Sequence, residues 1–163
     1  MGNVIKRTTM MVRDMERSLI FYRDILGAKI WFDRPFTLDG GGLPIGKKGD
    51  VLRLCIIQFE HAQIGMIGLM EFLEPVMSAP EINYELGYGK PVFVVVAEDA
   101  QAIYDKAAAK GFKTRGAPKT WSTTGAKGET KHFLSTYVWD ADGHFFECNQ
   151  VTHIDWPEGV ESE

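Results

Sequence analysis

Two glutamates stand at matching places near the ends of apolar, strand-like segments, where a carboxylate can act as a base or hold a cation. Glu147 lies in YVWDADGHFFECNQ, residues 137–150, a pattern typical of a strand, a tight turn and a second strand. Alternation along the second strand directs Glu147 towards a core, and a buried charge there requires a partner. Glu71 holds the corresponding place in IGMIGLMEF, residues 64–72. These two residues are the first candidates for chemistry.

The elements that would position Glu71 form the first half of the chain. Residues 3–12 have the β-branched and apolar character of a strand, and Asp14 is the predicted N-cap of the apolar helix that follows. Gly27 is the predicted C-cap of that helix. Three more strands are predicted at residues 28–36, 51–59 and 64–72. The order of this half is therefore β-α-β-β-β.

The same order begins again in the second half, where it would position Glu147. The segment KPVFVVVAED, residues 90–99, predicts a strand whose last residue, Asp99, takes the N-cap place, and Gly111 ends the next helix. Further strands are predicted at residues 112–116, 132–140 and 144–150. Because neither half could cover its own sheet, the two would pair to bury one apolar surface. The sequence predicts an α+β protein made of two tandem βαβββ modules, residues 1–75 and 76–150, with a frayed acidic tail at 151–163.

Composition excludes several classes of function. The chain has 163 residues and a formal net charge of -4, without a run or stripe of lysine and arginine, so we expect no nucleic-acid partner. Cys55 and Cys148 lack the spacing of a metal or redox motif and are expected to be buried reduced thiols. No apolar run reaches the roughly 18 residues of a membrane span. The sequence therefore predicts a cytoplasmic protein without membrane contact.

Four segments together resemble the vicinal oxygen chelate superfamily, which includes glyoxalase I, methylmalonyl-CoA epimerase, extradiol dioxygenases and the bleomycin and fosfomycin resistance proteins. The segments are VRDMERSLIFYRDILG at 12–27, LMEFLEP at 69–75, DAQAIYDKAAAKG at 99–111 and DADGHFFE at 140–147. The resemblance implies two modules forming an open, curved β-sheet around a cavity that often holds a divalent metal. It also implies a homodimer and a small-molecule ligand or substrate.

The resemblance places family metal ligands on the first strand, usually histidine, and on the last strand, usually glutamate, of each module. Counting back seven residues from Asp14 and Asp99 gives Arg7 and Val92 for the first-strand positions, and neither can bind a cation. Glu71 and Glu147 match the last-strand carboxylates. The chain is thus an atypical member without the histidine ligands. We expect no cofactor, with a divalent metal held by both glutamates as the weaker alternative.

Two interpretations of Arg7, Glu71 and Glu147 remain open. In the first, the guanidinium pairs with one or both carboxylates, and the site is only a salt bridge. In the second, the three residues are catalytic: Glu147 or Glu71 removes a proton next to a carbonyl, and Arg7 stabilises the oxyanion.

Alternation also predicts the rest of the pocket, which would be mostly apolar with a small polar centre. The predicted substrate-binding residues are Thr9, Met11, Val92, Val94, Phe145 and Asn149. Arg53 is a further candidate for an anion contact and substrate-binding residue, although its position on the strand favours an outward side chain. Trp121, also a predicted substrate-binding residue, lies in PKTWSTTGAKGETK, residues 118–131, which is expected to be a loop. This loop and LDGGGLPIGKKGD at 38–50 are either lids or flexible connections.

Two functions fit these residues. One is an enzyme, a lyase, isomerase or epimerase that uses a carboxylate base and an arginine, without a tightly bound metal, on a small oxygenated and aromatic or hydrophobic compound. The other is a non-catalytic protein of the bleomycin-resistance type that sequesters a hydrophobic small molecule. Dioxygenase chemistry is the least favoured, because it needs iron and the usual two histidines and one carboxylate.

Overall fold

The first unit of the fold is a four-stranded sheet with one helix, and it ends at Ile82. The computed structural model describes residues 2–61 and 64–159. The strands follow the order β1-β4-β3-β2, in which β1 and β4 are parallel and the other neighbours antiparallel. The elements are β1 (Arg7–Met11), α1 (Met15–Leu19), a π-helical segment (Ile20–Ile25), β2 (Lys29–Thr37), β3 (Val51–Gln58) and β4 (Met66–Glu74).

The second unit begins at Asn83 and repeats this topology. Its strands follow the order β5-β8-β7-β6, again with the first pair parallel and the others antiparallel. The elements are β5 (Val92–Val96), α2 (Ala100–Ala109), β6 (Lys119–Thr124), β7 (Thr130–Trp139) and β8 (Phe145–Asp155). The predicted α+β class with two tandem βαβββ modules is confirmed. No helix in the described ranges is long and apolar enough to cross a membrane.

Both helices begin at the predicted aspartates. The Asp14 carboxylate accepts a hydrogen bond from Arg17 N at 2.9 Å, and the Asp99 carboxylate accepts one from Ala102 N at 2.8 Å. After α1 the helix widens into a π-helical segment, where Leu26 N donates to Phe21 O five residues back. The helical spacing of the sequence did not distinguish this wider turn from a continuous α-helix.

Each sheet buries the face that its own helix covers. In the first unit the buried residues of this face are Met10, Cys55, Ile57, Ile67 and Leu69. In the second unit they include Thr136, Val138, Phe146 and Cys148, and α2 packs on β7 and β8 with Ala100 and Ala107 fully buried. Both cysteines are free thiols, and burial raises the pKa of Cys55 to about 11 and that of Cys148 to about 12. The opposite faces carry Arg7 and Thr9 in the first unit and Glu147 and Asn149 in the second, whereas the predicted site residues Glu71 and Arg53 lie on the helix-covered face of the first sheet.

Three predicted boundaries differ from the observed ones. The strand expected at 112–116 is only a single bridge between Thr114 and Val138, and β6 lies instead at Lys119–Thr124, within the predicted loop. Strand β8 continues to Asp155, because residues 151–155 pair with the start of β7, so the tail is not frayed from residue 151. Residues 160–163 of the predicted tail lie outside the described ranges. The two units divide after Ile82 rather than after residue 75.

Candidate functional site

Equivalent hydrogen bonds align the two units residue by residue. In the first unit, Val12 N donates to Met70 O at 2.8 Å where the chain leaves β1. In the second unit, Ala97 N donates to Asn149 O at 2.9 Å where the chain leaves β5. Each bond joins the end of the parallel strand to the last strand of its unit, so Met70 and Asn149 are counterparts.

The helix N-termini support the same alignment. Met15 N, in the first turn of α1, donates to Glu71 Oε1 at 3.3 Å. Ala100 N, in the first turn of α2, donates to Gln150 Oε1 at 3.1 Å. Glu71 is therefore the counterpart of Gln150, and both side chains lie on the helix-facing side of their sheets.

Strand register then identifies the counterpart of Glu147. Thr9 of β1 pairs with Gly68 of β4, and Val94 of β5 pairs with Glu147 of β8. The expectation that Glu71 is the counterpart of Glu147 is therefore wrong, because the register places Gly68 at that position. Glu71 also lies on the opposite face of the sheet from Arg7 and Thr9, since it comes three positions after Gly68 and side chains alternate between the two faces of a strand.

The face around Gly68 is occupied by its neighbours on β1. A Cβ atom at Gly68 would lie 2.7 Å from Thr9 Oγ1 and 3.2 Å from Arg7 Cδ. Arg7 Nε in turn donates to Thr9 Oγ1 at 3.1 Å. Because the Arg7 side chain and the Thr9 hydroxyl lie over the glycine, this unit presents a cation where the resemblance predicts a carboxylate.

Arg7 and Thr9 border an open groove of about 560 Å³ in the first unit. The rest of its lining combines apolar side chains with one more cation: Val4, Ile5, Lys6, Trp31 and Met66. Two cations, one hydroxyl and an indole are groups that can bind a small anion with an aromatic or apolar body. The predicted substrate-binding residue Met11 lies on the same face of β1 and is exposed.

Arg53 is not available for an anionic ligand. Its guanidinium donates from Nε and Nη2 to the two carboxylate oxygens of Asp33, at 2.8 and 2.7 Å, and from Nη1 to Glu16 at 2.7 Å. The hydrogen bonds from Arg53 lower the pKa of the Asp33 carboxyl, and those to Asp33 and Glu16 raise the pKa of the arginine. Arg53 thus joins β3 to β2 and α1, on the same side of the sheet as Glu71.

In the second unit, a directed chain of hydrogen bonds ends on Glu147. Trp121 Nε1 donates to Ser135 Oγ at 2.7 Å, and the Ser135 hydroxyl donates to Asn149 Oδ1. Asn149 Nδ2 then donates to Glu147 Oε1 at 2.8 Å. Indole nitrogen can only donate and the amide oxygen is occupied by the serine, so the amide nitrogen of Asn149 must face Glu147.

The remaining surroundings of Glu147 are apolar. In the sheet it lies between Val94 of β5 and Tyr137 of β7, and the Tyr137 ring stacks on Phe145 with a centroid distance of 6.0 Å. The next residue pair on the same face is Val92 with Phe145, two residues before Val94 and Glu147 in their strands. No described residue donates a hydrogen bond to Glu147 Oε2, which leaves one carboxylate oxygen for a ligand.

Neither candidate lid is a simple flexible loop. Most of residues 118–131 belongs to β6 and β7, and Trp121, predicted as a lid residue, stacks on Phe133 at 4.7 Å as part of the sheet. The glycine-rich stretch 38–50 is closed at its base by Leu38 N donating to Asp50 O at 2.8 Å. Its Ile45 packs on an apolar cluster that contains Leu38, Leu52 and Met70.

The four positions to which the resemblance assigns metal ligands do not fit a metal here. They are occupied by Arg7, Gly68, Val92 and Glu147, of which only Glu147 can bind a cation. Among the described residues, no group of three or more histidine, cysteine, aspartate or glutamate side chains is arranged to hold a metal ion. Glu71 does not suit the alternative of a metal held by Glu71 and Glu147, because its Oε1 accepts a hydrogen bond from Met15 N at the N-terminus of α1.

Comparison with known proteins identifies the family. The model of the Glyoxalase/Bleomycin resistance protein/Dioxygenase superfamily matches residues 4–148, and the chain belongs to this superfamily. No curated protein matched the chain.

Solved structures share the fold at low sequence identity. A glyoxalase family protein from Bacillus cereus has 14% identity and a TM-score of 0.70, with 92% of this chain and 95% of that chain covered. The trypanothione-dependent glyoxalase I of Leishmania major has 16% identity and a TM-score of 0.59, with coverage of 91% and 87%. The fosfomycin resistance protein FosX of Mesorhizobium loti has 19% identity and a TM-score of 0.51, with coverage of 91% and 92%. At these identities the similarity shows a shared fold only.

Proposed function

We propose that this chain is a lyase, isomerase or epimerase of the superfamily that acts on a small oxygenated compound with an aromatic or hydrophobic body. Glu147 is the proposed general base, which removes a proton from the carbon next to a carbonyl. The observation that carries the proposal is the geometry of this carboxylate, held by Asn149 through Oε1 with Oε2 open on an apolar face. An apolar face suits the body of the substrate, and the single fixed carboxylate suits proton transfer.

Proton removal next to a carbonyl places negative charge on the carbonyl oxygen, which requires a cation or hydrogen-bond donors. In the proposal Arg7 supplies this group, supported by its bond to Thr9 and by the cationic groove around it. Arg7 belongs to the first unit and Glu147 to the second, and the role of Arg7 is carried over from the family resemblance. Glu71 has no catalytic role in this proposal, because it binds the N-terminus of α1.

The second candidate function is non-catalytic binding of a hydrophobic small molecule. It is favoured by the residues at the ligand positions, where Gly68 and Val92 carry no functional group. In that case the ligand would be held by apolar contacts and by Arg7, and it would be released unchanged. A homodimer and a cytoplasmic location are expected from the resemblance and the composition, and light scattering of the purified protein tests the dimer.

The deciding experiment follows proton exchange rather than turnover alone. Candidate carbonyl compounds that raise the melting temperature of the protein are incubated with it in D₂O, and loss of the α-proton signal is followed by NMR. We expect exchange with the native chain, and a decrease of at least about a hundredfold with Glu147→Gln, the lower range for a general base. The matched control Glu71→Gln should keep the native rate. Tight binding without exchange would support the binding protein and contradict the enzyme.

A further inference from the structure

A second set of chemically competent side chains lies across one end of the second unit's sheet. Strand register places Ser122 of β6 opposite His132 of β7, and His132 opposite His153 of β8. Asp155 follows two residues after His153 in the same strand, so its side chain lies on the same face. The four residues border a groove of about 670 Å³. This face is the one opposite Glu147, because the neighbouring Trp121 points to the Glu147 side.

Two hydrogen bonds of this cluster converge on the carboxylate of Asp155. His132 Nε2 lies 2.7 Å from Asp155 Oδ2, and His153 Nε2 lies 2.8 Å from Oδ1 of the same carboxylate. The bond from His132 is the main reason that the pKa of Asp155 is lowered, so this carboxylate accepts both bonds in its ionised form.

The position of the protons on His132 follows from this arrangement. A neutral imidazole that donates from Nε2 keeps its lone pair on Nδ1, and Nδ1 is the atom 2.7 Å from Ser122 Oγ. The Ser122 hydroxyl therefore donates to His132. A hydroxyl bonded to an imidazole that a carboxylate orients is the arrangement that activates serine nucleophiles.

We propose that Ser122, His132 and Asp155 form an acyl-transfer site for activated carboxylic esters, separate from the Glu147 face. Ser122 Oγ would form a bond to the ester carbonyl carbon while its proton moves to His132 Nδ1. The bond from that carbon to the leaving oxygen would then break, and the leaving group would take the proton from His132. Water, deprotonated by His132, would hydrolyse the acyl-serine and restore the hydroxyl.

Exposure sets the reactivity of this site. The His132 side chain is 36% exposed and that of Asp155 is 59% exposed, so water weakens both hydrogen bonds relative to a buried triad. The site therefore requires an ester with a good leaving group. The competing structural role is that the cluster only joins three strands, and in that role Ser122 would react no faster than other exposed hydroxyls.

A fluorophosphonate probe tests this difference, because it transfers its phosphonyl group to an activated serine with loss of fluoride. The full-length protein is treated with the probe, and adducts are located by peptide mass spectrometry. We expect one adduct, on Ser122, which is lost in Ser122→Ala. The labelling rate should fall by at least about tenfold in His132→Gln and less in Asp155→Asn, since a positioned base contributes about 10²–10⁴-fold in buried sites.

Thr124→Ala is the matched control, because Thr124 carries a hydroxyl on the same strand and face but pairs with Thr130 rather than with a histidine. This variant should keep the native labelling rate, and circular dichroism should show that each variant is folded. A pre-steady-state burst with p-nitrophenyl acetate, absent in Ser122→Ala, would be a second supporting result. An absent Ser122 adduct, or a labelling rate unchanged in folded His132→Gln, would overturn the proposal.

Discussion

The side-chain amide of Asn149 donates from Nδ2 to Glu147 Oε1 at 2.8 Å, while its oxygen accepts from Ser135. Asn149 and Glu147 are two residues apart on β8 and therefore share one face of the sheet. The hydrogen bonds from Trp121 to Ser135 and from Ser135 to Asn149 fix which end of the amide faces the carboxylate. The proposed base is thus positioned by three strands of one unit.

Asn149→Asp should place a second carboxylate beside Glu147 while keeping an acceptor for Ser135. Because two adjacent carboxylates resist joint ionisation, the acid limb of the pH–rate profile for proton exchange should move to higher pH. The charge-matched control is Gln150→Glu, which adds a carboxylate on the other face of β8, where the first unit already carries Glu71. A profile unchanged in Asn149→Asp would contradict the positioning of Glu147 by Asn149.

Gly68→Ala should destabilise the first unit by about 1–3 kcal/mol, the usual cost of overpacking. The reason is the 2.7 Å approach of the new Cβ to Thr9 Oγ1. Urea denaturation measures the effect, and Thr9→Ala should relieve most of it in the double variant. If the changes in the free energy of unfolding caused by the two substitutions simply add in the double variant, Thr9 does not occupy the space over Gly68.

Arg53→Met should destabilise the protein at pH 7 by about 1.5–3 kcal/mol, the range for hydrogen bonds to charged groups. The Asp33 pKa is lowered from 3.8 in the folded protein, so its contribution is present above that value and is lost as the pH falls through the folded pKa. The difference between native and variant stability should therefore shrink on acidification below about pH 4. Arg34→Met, one residue from Asp33 on β2, is the control and should have little effect. A difference independent of pH would contradict the ion pair.

His144→Gln should remove a stabilisation that is present only at low pH. His144 Nδ1 lies 3.0 Å from Asp140 Oδ2, and this hydrogen bond raises the pKa of the imidazole. A raised pKa contributes stability that is complete below the unfolded value of 6.5 and is lost as the pH rises through the folded pKa. Melting temperatures of native and variant protein should thus differ more at pH 5.5 than at pH 8.5. An equal difference at both pH values would contradict protonation-linked stabilisation of this turn.

Local signals in the sequence were enough for much of the fold. The helix N-caps at Asp14 and Asp99 depend on side-chain bonds three residues along the chain, so the sequence alone indicates them. The common face of Glu147 and Asn149 follows from strand alternation in the same way. The β6 strand was missed because its hydroxyl-rich residues, KTWSTT, resemble a loop until they pair with β7.

The sequence by itself determined the superfamily, the two βαβββ modules and the face of β8 that Glu147 shares with Asn149, because these depend on residues close together in the chain. Only the tertiary structure decided that Gly68, rather than Glu71, is the counterpart of Glu147. That correspondence depends on the register of two parallel strand pairs whose members are far apart in sequence. The role of Ser135 was also visible only in the tertiary structure, because its hydrogen bonds link Trp121 of β6 to Asn149 of β8 across β7. Periodicity indicates which face a residue occupies, but only pairing between distant strands decides which residues on that face are neighbours.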